Sequence, residues 1–144
     1  MAAAAEGLTK EERDAVKDRA KELREEAKAG KNREAGEKSV AKAIADMPES
    51  DAAIAGRIHE LVAEQAPELM PKTWYGQPAY ANTEGKVVLF VQSAAKFKTR
   101  YCTLGFSEDA ALDDGEMWPT SFAVTKLTPT VEKTIAELIQ RAAA

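Results

Sequence analysis

The residues best suited to recognising a ligand lie between positions 74 and 118. Trp74, Tyr75, Tyr80, Tyr101 and Trp118 supply flat apolar surface, with Phe90 nearby. Pro78 stiffens the turn Trp74-Tyr75-Gly76-Gln77-Pro78, and Lys96, Lys98 and Arg100 put three cations within five positions. The pattern from Phe97 to Leu104 predicts a strand, and alternation then puts Lys98 and Arg100 on one face. A cation beside an aromatic ring is attracted to the ring's negative face, and the pair suits a small anionic or aromatic ligand. The same residues also have a plain structural use, in which the rings fill a core and the cations reach past it to water.

A second constellation is acidic: Glu108, Asp109, Asp113, Asp114 and Glu116. Hard cations such as Ca2+, Mg2+ or iron take carboxylate oxygens, although this spacing is not that of an EF-hand loop. Asp113-Asp114-Gly115 serves equally well as a solvated turn. His59 is the only histidine and has Ala63 four positions on, so it belongs to no metal-binding helical pair. Cys102, the only cysteine, stands between Tyr101 and Thr103 with no base beside it in sequence, and reads as a small buried side chain. The eight glycines form neither GxGxxG nor GxxxxGK. These absences point to a binding protein rather than an enzyme, with no cofactor and no catalytic residue.

The elements that must position these residues follow from periodicity. Thr9, with Glu12 three residues on, opens a helix that Gly30 is expected to stop at Ala29. Its apolar stripe, Val16, Ala20, Leu23 and Ala27, is thin, and only two of these side chains are large. A dimer contact through it is expected to be weak, so the chain is read as a monomer or weak dimer. A second alanine-rich helix is predicted from Asn32 to Ala45. Met47-Pro48 then breaks the pattern. Ser50 or Asp51 is expected to cap a third helix bearing Ile54, Ile58, Leu61 and Val62, which Pro67 ends.

Beyond Pro71 the period shortens. Strands are predicted at Thr73–Tyr75, Ala79–Asn82, Lys86–Ser93, Phe97–Leu104 and Thr120–Lys126, the second and third joined around Thr83-Glu84-Gly85. Val87, Leu89 and Val91 fall on one face and Val88 and Phe90 on the other, as in a central strand. Thr128-Pro129 starts a final helix through Val131, Ile135, Leu138 and Ile139. Helices, then consecutive strands, then a helix give an α+β fold with an antiparallel sheet of four to five strands and a helical N-terminal extension. Residues 1–46 read as that charged, alanine-rich extension and 47–144 as the compact domain.

Composition agrees with this division. Alanine supplies 28 of the apolar residues, and all nine aromatics lie between Trp74 and Phe122. The net charge is −4, but residues 10–42 carry eleven basic and nine acidic side chains, a net of +2. Their signs are interleaved at helical spacing, which makes a solvated face rather than the concentrated basic face of a nucleic-acid binder. No run of eighteen apolar residues exists, so no membrane helix is expected. Met1 to Glu6 is too short for a signal peptide and ends in an acid, and a lone cysteine fits the cytoplasm.

Pro67, Thr73-Trp74-Tyr75-Gly76-Gln77-Pro78-Ala79-Tyr80, Ala94-Ala95-Lys96-Phe97-Lys98 and Leu127-Thr128-Pro129 together resemble the YdhG-like family of small bacterial domains. The resemblance covers roughly residues 46 to 142. It implies an α+β fold with a curved antiparallel sheet covered by helices, a cytoplasmic location, and a concave region around Trp74, Pro78, Tyr80 and the Lys98/Arg100 segment. One member of that family is described as a frataxin-like iron chaperone. The resemblance therefore also implies an alternative role, intracellular iron binding through surface carboxylates.

Overall fold

The computed structural model describes residues 9–144. The leader question at Met1 to Glu6 lies outside the described residues, as do the side chains of Leu23 and Ala27 in the expected stripe. By Cα packing the chain divides into residues 1–34 and 35–144. This boundary precedes the expected one at 46/47, because Val40 is fully buried within the second unit.

Helix α1, Lys10–Ala45, is one element of 36 residues rather than two. A glycine inside a helix costs about 1 kcal/mol relative to alanine. Gly30 sits between runs of strong helix formers with no proline after it, so propagation continues through it. In the first unit Thr9 accepts from the Glu12 amide at 3.1 Å, as the capping pattern predicts, and Val16 is exposed.

The second unit is an α+β domain. Helix α2, Glu49–Gln65, begins after Pro48, which has no side-chain cap, and turns Ile54, Ile58, Leu61 and Val62 into the core. Neither Ser50 nor Asp51 caps it, since the Asp51 side chain faces inward and is engaged elsewhere. Strands β1 Met70–Trp74, β2 Gln77–Ala81, β3 Val87–Gln92, β4 Cys102–Phe106 and β5 Ser121–Val124 form one antiparallel meander in sequence order. Strand β3 is central, as its two apolar faces predicted. Helix α4, Pro129–Ala142, opens with Val131 N–H donating to Thr128 Oγ1 at 3.2 Å and buries Ile135 and Ile139.

One face of the sheet packs on the helices, joining Tyr80, Leu89, Val91, Leu104 and Val124 to the stripes of α2 and α4. Arg57 of α2 crosses to Glu132 of α4 and also holds Glu60 at 2.9 Å and Glu64 at 3.3 Å. Alternate residues on the other face, such as Lys72, Trp74, Phe90, Thr103 and Ala123, are half-buried or exposed. The carboxy-terminal part of α1 lies close against β1 at Gly36. A Cβ there would stand 1.9 Å from the Pro71 carbonyl oxygen.

The predicted strand Phe97–Leu104 is not formed over its first half. Ala94–Phe97 is instead a single helical turn, α3, and Lys98 after it is left-handed (φ 53°). Pairing begins only at Cys102. Lys98 and Arg100 therefore do not share a strand face.

Candidate functional site

Besides Ser93, two polar side chains are buried among the described residues. The first is Asp51, 5% exposed in the first turn of α2. One carboxylate oxygen, Oδ2, accepts from Ser93 Oγ at 2.7 Å and from the Ala95 amide at 3.0 Å. The other, Oδ1, lies 3.4 Å from Cys102 Sγ. Burial by itself would raise this carboxyl, but the Ala95 amide, the Ser93 hydroxyl, the Cys102 thiol and the Ala94 amide outweigh it. Asp51 is thus held below the usual carboxylate range. Burial, with the neighbouring Asp51 charge, pushes the Cys102 thiol up, which keeps it protonated and a poor nucleophile. These contacts clamp α3 and the start of β4 onto α2.

The second is Gln77, also 5% exposed. Tyr75 and Gly76 both have positive φ (53° and 74°), so the β1–β2 connection is a two-residue turn. Gln77 and Pro78, expected in the turn, already belong to β2. Gln77 Nε2 donates to the Trp74 carbonyl at 3.3 Å. Its Oε1 is buried and meets no donor among the described residues. Gln77 lines a recess of about 440 Å3 between the end of α1, the Tyr75-Gly76 turn and α3. Ala43, Met47, Pro48 and Val91 give the recess its apolar wall. Lys96 stands at its edge, donating from Nζ to the Tyr75 carbonyl at 3.1 Å. Gly76 leaves the room this ammonium needs, since a Cβ there would lie 2.6 Å from Nζ. Asp46 lines the same recess and pairs with Lys42 at 3.4 Å on the helix surface.

The expected aromatic and basic set is divided by the fold. Trp74 packs edge-on to Tyr75 at 4.8 Å and against Phe90 at 5.2 Å between centroids. Tyr75 is 78% exposed. Pro78 and Tyr80 are core residues. Tyr80 Oη meets His59 Nδ1 at 2.8 Å, while His59 Nε2 meets Glu37 at 2.8 Å. Burial and the Glu37 charge push the Tyr80 phenol up. Lys98 and Arg100 are exposed, the latter over the half-buried Tyr101 ring at 5.4 Å. Trp118 lies in a different recess, of about 480 Å3, with Phe106, Glu108, Asp113 and Glu116. Among the described residues no group of three or more His, Cys, Asp or Glu side chains is placed to hold a metal ion.

The turn at Gly76 and the cation at Lys96 were visible in the sequence, whereas Gln77 read only as a turn residue and Asp51 only as a cap. The signal for both was slight: each is a polar residue beside the apolar positions of its element. The fold defines an α+β domain whose helices cover one face of a five-stranded antiparallel meander. No family model, no curated protein and no solved structure matches the chain. Among the described residues no helix is long and apolar enough to cross a membrane.

Proposed function

We propose that the domain of residues 35–144 is a small-molecule-binding module whose site is the recess at Gln77. One observation carries this reading: Gln77, whose buried amide oxygen meets no donor among the described residues, is one of the residues lining a largely apolar recess of ligand size. Leaving such an oxygen unmatched costs about 1–3 kcal/mol. The other candidates for chemistry support binding over catalysis. Cys102 is buried with its thiol pushed up, and both ring nitrogens of His59 are engaged by Tyr80 and Glu37. This reading keeps the small ligand expected from the sequence but moves its site from Lys98 and Arg100 to Gln77 and Lys96.

The test is a small-molecule screen followed by methyl and side-chain amide NMR. Binding compounds are expected to shift the Met47 methyl and the Gln77 side-chain amide. Compounds that move only Trp118 or Arg100 signals would overturn the placement.

A further inference from the structure

The geometry points to a second copy of this chain as the partner of the free edge of β5, the two strands running antiparallel about a twofold axis at Phe122. Phe106 N–H donates to the Thr120 carbonyl at 2.7 Å, and β4 and β5 keep that register through Leu104↔Phe122 and Cys102↔Val124. Bonded positions alternate along an antiparallel pair, so the backbone groups of Thr120, Phe122 and Val124 face β4. Those of Ser121 and Ala123 turn outward. Both residues are exposed, and their backbone groups meet no partner among the described residues. The opposite edge of the sheet is guarded. Pro71 on β1 has no N–H to offer, α1 crowds its carbonyl at Gly36, and the neighbouring Lys72 is charged and exposed. On β5 the run from Thr120 to Thr125 holds no proline and no charge.

The symmetry of this edge is what fits it to a copy of itself. A twofold axis at Phe122 sets Ser121 opposite Ala123 of the second copy, and every outward amide of the strand then meets an outward carbonyl. The half-buried Phe122 rings come side by side, because a non-hydrogen-bonded pair puts opposing Cα atoms about 4.5 Å apart. Each ring already packs edge-on to Phe106 at 5.9 Å between centroids. An identical neutral strand meets no like charge there, and a charged peptide would find no countercharge on the strand. With only four residues the contact is smaller than a stable interface, and a Kd on the order of 100 μM is expected.

The experiment uses the full chain at concentrations from about 10 μM to about 1 mM, either side of that value. Sedimentation equilibrium reads the association, and amide hydrogen exchange locates it. The average mass should rise towards that of a dimer. Exchange at the Ser121 and Ala123 amides should slow at least about threefold across the range, more than at Phe122 and Val124, which are already bonded to β4. Ala123→Pro removes an outward N–H and leaves the β4 ladder intact, so it should weaken association at least about tenfold. Ala123→Lys keeps every backbone group but charges the edge and should also weaken association; a circular dichroism melt of each variant confirms that it is folded. A chain still monomeric at about 1 mM overturns the proposal. So does a dimer in which exchange at Ser121 and Ala123 is unchanged, or one undiminished in a folded variant.

Discussion

Asp51 and Gln77 are equally buried, yet they are served in opposite ways. Asp51 receives two hydroxyl or amide hydrogen bonds and a thiol contact on its two oxygens. Gln77 gives one hydrogen bond and receives none on Oε1 among the described residues. A buried charge survives only when it is fully satisfied, because removing it from water costs several kcal/mol. A neutral amide oxygen can be left open at a smaller cost. The satisfied group therefore holds the structure in place, whereas the unsatisfied one can be changed at a small cost.

The sharpest way to break this contrast is Asp51→Ala. It strands the Ser93 hydroxyl and the Ala95 amide and should cost about 3 kcal/mol, or a fall of about 10 °C in the melting midpoint. The same group predicts a pH dependence. Its folded value lies below the ordinary 3.8, so its stabilising contribution is complete above that value and is lost as pH falls through the folded one. Denaturant midpoints measured down the acid range should show a steeper loss in the native protein than in Asp51→Asn. A pH profile unchanged by the substitution would remove Asp51 from its clamping role.

Next in size is Gly36→Ala, which drives a methyl into the Pro71 carbonyl on β1. A cost of about 2 kcal/mol is expected even after the gain in helix propensity. It should also perturb Met47, because the same helix walls the recess. His59→Phe leaves the buried Tyr80 hydroxyl without its ring-nitrogen partner and should cost about 1–2 kcal/mol by chemical denaturation. The smallest effect is the most telling. Gln77→Leu removes an unmatched oxygen as well as the bond to Trp74, and should change stability by less than about 1 kcal/mol. A loss as large as that of Asp51→Ala would mean that Gln77 is a structural group too.

Much of the fold was legible because its signals are local. Thr128-Pro129 marked the start of α4, and the alternation from Val87 to Val91 marked the central strand. Two features were not. Gly30 looked like a stop, but a single glycine is a small penalty within a long run of helix formers. The run Phe97 to Leu104 alternates like a strand, yet Ala94–Phe97 turns helically. Ser93 caps that turn at the Lys96 amide, and Asp51, 44 residues before Ala95, anchors it. No local window contains that partner. The candidate site was half legible for the same reason. Gly76 and Lys96 announce a turn and a charge, but the recess exists only once the end of α1 closes over Gln77.

The sheet's sequence-order meander has a consequence for how the chain comes together. Each strand pairs with its immediate neighbours, so the five strands can form by successive hairpins with little loop to close. By contrast, α2 and α4 must meet across a long separation, their Arg57–Glu132 contact spanning 75 residues. During synthesis α4 emerges after all five strands. Until it docks, the face carrying Leu89 and Leu104 lacks the cover of Ile135 and Ile139, and the nascent domain offers chaperones an apolar surface that the finished one hides.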